Sequence, residues 1–344
     1  MKIDIFTHIV SARYGQELAK YVPPEVKTKG MMQAIGTLMD LETRFRIMDQ
    51  YEGYTQVITM SGQPVESIAK GADAVELAKI ANDETAALVT KYPDRFFAGV
   101  ANLPLDDTDA SLKELDRAVN QLKLRGIMVH APLYFLSDGV QPPALGKPLD
   151  LPQLLPIYEA MAEYGLPIWI HPSPLYDIRM ADYDGEPISK YFAWQIFGWP
   201  YQDTLAQVRL VYSGIMEKYP GLKIINHHGG AMVPFFEKRI TVCSNMAEMR
   251  WGETFKTVLP RNPKEYLKMF YSDTALGGCA PALMCAHAFY GTEHMLFGTD
   301  TPFDMELGNE AIRETIKSVE QMDIPEADKE AIFETNAKKL LRLD

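Results

Sequence analysis

The chain has 344 residues, enough to bury a large core, and its 47% hydrophobic and 23% charged residues are ordinary for a globular protein. A formal net charge of −12, from 34 Lys plus Arg against 46 Asp plus Glu, leaves no basic surplus to neutralise phosphates and argues against a nucleic-acid or membrane partner. Cys243, Cys279 and Cys285 contain no CxxC pair and cannot build a disulfide framework, no apolar run approaches the ~18 residues of a membrane span, and MKIDIFTHIV carries no leader pattern, so a soluble cytoplasmic protein is expected.

Eight short apolar runs read as strands: Ile3–Ile9, Thr55–Met60, Phe96–Leu103, Gly126–His130, Pro167–His171, Lys223–His228, Met269–Thr274 and His294–Asp300. Amphipathic stretches follow most of them, over Ala72–Lys91, Asp106–Leu124, Leu151–Tyr164, Asp203–Lys218 and Glu306–Gln321. Turn signals such as KYPDR, YGLP and KYPGLK sit just before strands. Repeated strand–helix alternation predicts a parallel α/β architecture, and eight units close most simply as a (β/α)8 TIM barrel. A doubly wound open sheet would need a glycine-rich loop after the first strand, and THIVSARYG is not one. Residues 1–344 are therefore expected to form a single domain with two insertions, at about 12–43 and 172–202. The second is rich in aromatics, includes Trp194 as a candidate substrate contact, and follows a strand, where barrel loops form the catalytic face. Packing over the barrel rim or a subunit contact is the rival reading of that segment.

The histidines carry the chemistry. His8, His130, His171 and the pair His227–His228 fall at the carboxyl ends of predicted strands, and Asp300 ends the eighth. Those ends open on one face of a barrel. With period-two alternation, His8, His171, His228 and Asp300 are expected to meet in one pocket. Imidazoles and a carboxylate suit a divalent ion such as Zn2+; His8, His171 and Asp300 would be three ligands, and His228 a fourth ligand or a general acid/base. His227 is expected to have the wrong phase and to bond locally. His130 is a candidate substrate contact, and His287 and His294 read as structural. Asp273 either orients a histidine or caps the next helix.

The segments LPIWIHP, INHHGGAMVPFFEKRI and FGTDTPFD resemble the fifth-, sixth- and eighth-strand motifs of the amidohydrolase-related (amidohydrolase 2) family. Within it the resemblance is to the branch of aminocarboxymuconate-semialdehyde and gamma-resorcylate decarboxylases, and it covers nearly the whole chain. It implies a divalent metal, usually zinc and sometimes manganese, non-oxidative decarboxylation of unsaturated or aromatic acids, and a homodimer. It also implies that Arg44 holds a substrate carboxylate, with Arg239 a second candidate. One departure stands out: the family's first strand usually ends in His-x-His or Glu-x-His, and here it reads Phe6-Thr7-His8. The metal is then held by three ligands, or only when substrate completes the shell, or has been lost. The leading expectation is a metal-dependent decarboxylase of a small carboxylic acid, with His228 or Asp300 supplying the proton. The alternatives are a metal-dependent hydrolase, lactonase or hydratase on the same residues, and a decayed, non-catalytic barrel.

Overall fold

In the computed structural model all residues are described except 22–35, 137–145, 175–181, 187–188, 253–258 and 344. The strands are β1 (Lys2–Ile9), β2 (Tyr54–Met60), β3 (Phe96–Gly99), β4 (Ile127–Ala131), β5 (Pro167–Pro172), β6 (Lys223–Asn226), β7 (Tyr271–Asp273) and β8 (Met295–Leu296). They pair in parallel as β1-β2-β3 and as β4-β5-β6-β7-β8. Single parallel bridges span both seams, Ala101 to Ile127 and Thr7 to Thr301. At the second seam Ile5 N donates to Phe297 O (2.8 Å), His8 N to Thr301 O (2.9 Å) and Asp300 N to Phe6 O (3.1 Å). This is the expected (β/α)8 barrel, and the β1–β8 seam brings His8 and Asp300 to the same rim.

Helices cover the outside because their sequences carry one apolar stripe. In Ala72–Lys91 the buried residues include Ala74, Leu77, Ala78, Ala81 and Thr85, the 3–4 spacing of a single helical face. Of the first insertion, a helix spans Ala12–Tyr21, and Asp40 caps the helix Leu41–Met48 by accepting from Glu42 N and Thr43 N. Residues 22–35 of that insertion, and 175–181 and 187–188 of the second, lie outside the described residues. The second insertion leads through a wide turn, Trp194–Gly198, into the helix Trp199–Tyr212.

The barrel interior fixes the direction of every rim side chain. Met128, Trp169 and Ile225 lie side by side in register on β4, β5 and β6. They pack together with Ile3, Ile5, Phe6, Val57, Ala98 and Leu296. The alternate residues Ile127, Val129, Ile168, Ile170 and Ile224 belong to the core beneath the helices. Trp169 Nε1 reaches across the interior to donate to Ile5 O (2.9 Å). Two residues beyond the inner layer, the same alternation aims His130, His171 and His227 at the rim.

Candidate active site

Four side chains converge at that rim: His8 and Asp300 across the β1–β8 seam, His171 from the end of β5, and His227 from the first position after β6. One ligand atom from each lies within 4.8 Å of all the others. His8 Nε2 is 3.0 Å from Asp300 Oδ1, and His227 Nε2 is 3.4 Å from the same oxygen. The His8 and His171 rings meet edge-on at 5.0 Å, and those of His171 and His227 stack at 5.4 Å.

The hydrogen bonds behind these rings decide which nitrogen carries the proton. His171 Nδ1 contacts Pro172 O (2.6 Å), and a carbonyl only accepts. Thr59 Oγ1 donates to Thr7 O (2.9 Å), so at its 3.1 Å contact with His8 Nδ1 the hydroxyl accepts. His227 Nδ1 donates to Asp273 Oδ2, and His228 Nδ1 to Asp203 Oδ2 (2.9 Å). Every Nδ1 is thus a donor to a fixed acceptor, and every Nε2 is left to face the rim. His8 Nε2, His227 Nε2 and Asp300 Oδ1 are all buried without a hydrogen-bond partner. Nitrogens buried around one carboxylate call for positive charge among them, as a shared proton or a bound cation. Imidazoles whose far N–H is held by a carbonyl, hydroxyl or carboxylate are what metal-ligating histidines show, so the residues fit a divalent ion.

The electrostatics agree. Burial, reinforced by the neighbouring histidines, pushes His8 and His171 below the ordinary histidine range, and burial takes His130 down to about 3. Burial works against charge on Asp300 and on His227 as well. At Asp300 it is outweighed by His227 and His8, which hold the carboxyl well below its usual range. At His227 it is outweighed by Asp273 and Asp300, which raise the ring well above its usual range. Two neutral imidazoles, an anionic carboxylate and one position that demands positive charge describe a cation site.

His228 stands beside this cluster. Its Nε2 is 4.0 Å from Asp300 Oδ2, and its ring lies 3.9 Å from that of His227 and stacks with Trp199 at 6.2 Å. Its side chain keeps 14% exposure, whereas that of His227 is fully buried. The turn His227–Gly230 is left-handed at His228 (φ 56°) and Gly229 (φ 66°); a Cβ at position 229 would run into the Leu276 side chain. Asp300 is left-handed too (φ 62°), so two of the polar groups sit on backbone that ordinary residues avoid.

Several expectations change here. β6 ends at Asn226, so strand alternation cannot be carried through to His228. The inward residue is Ile225, and two positions on it is His227, not His228, that enters the cluster. Asp273 orients His227 and also caps locally, its Oδ1 accepting from Gly229 N (3.0 Å) and Ala275 N (3.1 Å). Arg44 is buried behind His8, donating to Gln56 Oε1 (2.7 Å), His8 O (2.7 Å) and Thr37 O (3.4 Å), which supports the His8 backbone; its Nη2 meets no acceptor among the described residues, and the side chain lines a small pocket with Thr37, Gln56 and Thr301. Arg239 is exposed on the helix Val233–Trp251. His130 sits 5.6 Å from His171, ring to ring. Trp194 is partly buried, and the tryptophan beside the histidines is Trp199, 6.1 Å from His171. Trp199 and Asp203 escaped the sequence reading; their four-residue spacing on one helix face was the available signal.

An amidohydrolase family model matches residues 39–343. The chain belongs to the amidohydrolase family. It is 31% identical to a gamma-resorcylate decarboxylase of Polaromonas sp. (strain JS666 / ATCC BAA-500), over 100% of this chain and 99% of that protein. It is 28% identical to a 2-amino-3-carboxymuconate-6-semialdehyde decarboxylase of Dictyostelium discoideum, over 100% of this chain and 92% of the relative. Among solved structures, a dihydroxybenzoic acid decarboxylase from Polaromonas sp. JS666, with bound manganese and the inhibitor 2-nitroresorcinol, superposes with a TM-score of 0.78 at 28% identity, covering 99% of this chain and 96% of that one. The resemblance seen in the motifs is therefore a family relationship over the full barrel.

Proposed function

We propose that this amidohydrolase-family protein is a divalent-metal-dependent, non-oxidative decarboxylase of an aromatic or unsaturated carboxylic acid, with residues 1–344 as one catalytic unit. The observation that carries the reading is the set of Nε2 atoms turned towards Asp300, with a separate histidine–carboxylate pair, His228–Asp203, at its edge. His8, His171 and Asp300 would hold the metal. When bound, it supplies a Lewis acid that orients the substrate carboxylate or a neighbouring hydroxyl and stabilises developing charge. A donor set of imidazole and carboxylate without thiolate accepts manganese as well as zinc, and the manganese in the Polaromonas structure makes Mn2+ the first ion to test.

The chain's own residues handle the proton. Asp203 accepts from His228 Nδ1, fixes the tautomer and stabilises the imidazolium. His228 Nε2 then delivers a proton to the carbon bearing the carboxylate. The bond from that carbon to the carboxylate breaks, its electron pair restores the conjugated system, CO2 leaves, and His228 regains a proton from water. Asp300 is the weaker proton source because His227 and His8 hold it as the anion against burial. Trp199 beside His171 and His228, and Phe303 at 5.0 Å from His8, give a flat apolar approach suited to a planar acid. The reading has the enzyme working as a homodimer in the cytoplasm. Exposed Phe235, Val242, Met246 and Met249 recur on one side of the helix Val233–Trp251 and offer an apolar face for a second copy, and three free cysteines suit a reducing compartment.

The test is turnover of carboxyl-13C hydroxybenzoates, 2,6-dihydroxybenzoate first, by the manganese-loaded enzyme in D2O. Labelled CO2 and one deuterium at the vacated carbon are expected, and both stop in His228→Asn. Turnover of lactones without CO2 release would replace this reading with the hydrolase.

A further inference from the structure

Resting on that metal reading, we propose that His227 is the fourth protein ligand and stands in for the ligand that Phe6 removes from the first strand. Position 6 points into the centre: the Phe6 ring lies 5.5 Å from His8, 5.8 Å from His171 and 4.0 Å from His227. A phenyl ring offers no lone pair. It lies nearly parallel to the His227 imidazole, at 16°, and so forms one wall of a slot. The His228 ring, 3.9 Å away, contacts His227 as well. Asp273 holds Nδ1–H, and is itself held by Gly229 N and Ala275 N. Gripped this way, His227 can present only Nε2, buried and without a partner, towards Asp300 Oδ1 at 3.4 Å.

The donor set is then three imidazoles and one carboxylate: His8, His171, His227 and Asp300. The first strand gives up a ligand and the turn after the sixth gains one. The aromatic ring at position 6 packs against the new ligand. His228, one residue on, remains free to move a proton.

The experiment counts ligands on the full-length chain, by pulsed EPR of bound Mn2+ and X-ray absorption of bound Zn2+, with affinity from chelator competition. Three imidazoles are expected in the wild type and still three in His228→Asn. His227→Ala drops to two and loses at least the ~10–100-fold in affinity that loss of a mere supporting partner costs. Phe6→His in the His227→Ala background regains the third imidazole and most of the affinity. If His227→Ala does not fold, the first two proteins decide. Two imidazoles in the wild type, or a fall to two in His228→Asn, overturns the proposal. One metal per chain with affinity unchanged in His227→Ala overturns the role of His227 and leaves the metal reading standing. A folded wild type that takes up neither ion overturns both.

Discussion

β1 carries two buried ionisable side chains, Asp4 and His8, and their surroundings treat charge in opposite ways. The Asp4 carboxylate accepts from the Tyr54 and Thr299 hydroxyls and from Thr299 N (3.0 Å) and Phe6 N (3.3 Å). Every oxygen meets donors, and the nest is complete as it stands. At the other end, His8 Nε2, His227 Nε2 and Asp300 Oδ1 are equally buried and meet only one another. Burial of polar groups therefore does not separate structure from function in this barrel. Satisfaction does: the Asp4 nest holds strands together, and the Asp300 cluster waits for a cation.

The largest test of that contrast is Asp300→Asn. It should lower kcat/KM by at least about 10³-fold, because the metal contributes several kcal/mol of charge stabilisation. Metal content should fall with it, because a candidate ligand is lost. Metal content unchanged beside a large drop in stability would instead make Asp300 a second Asp4. Next come His228→Asn and Asp203→Asn. Each should cost about 10²-fold in kcat, the lower range for a positioned acid or base, with metal content unchanged. The double variant should be little worse than either single one, because the two act as a unit. Additive losses would separate Asp203 from the proton step.

The barrel and most of this rim were legible in the sequence because strand–helix alternation and a polar residue at a strand end are local signals. Phase in β6 was not. Ile224 and Ile225 are both apolar, as a strand buried on both faces requires, so alternation in KIIN leaves open which side faces in. The register against Trp169 settles it, and register is a tertiary fact. Gly229–Gly230 marked the turn that ends the strand, which was reason not to extrapolate to His228. Arg44 shows a different blind spot. Nothing in the sequence around this arginine signals that it holds the backbone of His8 from behind.

A smaller effect is expected at the satisfied end. Asp4→Ala strands the hydroxyls of Tyr54 and Thr299 and two backbone N–H groups, and should cost about 2–3 kcal/mol in denaturant unfolding. Metal affinity should hold, because no ligand atom moves. Lost metal with unchanged stability would reverse the assignment of the two ends of β1.

The smallest prediction concerns pH. Burial, only partly offset by its hydrogen bonds, raises Asp4 to about 7 from an ordinary value of 3.8. The folded protein therefore holds that proton more tightly than the unfolded chain. The stability this contributes is fully present below the unfolded value and is lost as pH rises through about 7. Between those limits the slope is at most about 1.4 kcal/mol per pH unit. Asp4→Asn, which cannot ionise, should lack this component, so the two stability curves converge with rising pH relative to their separation near pH 4. Glu66, raised to about 8 by burial, adds a slope of the same sign. It is present in both proteins and cancels in the difference. Chelator-treated samples keep the Asp300 cluster out of the comparison. Parallel curves from pH 4 to pH 8 would mean that Asp4 stays ionised in its nest, and that four donors suffice to hold a bare carboxylate inside the barrel.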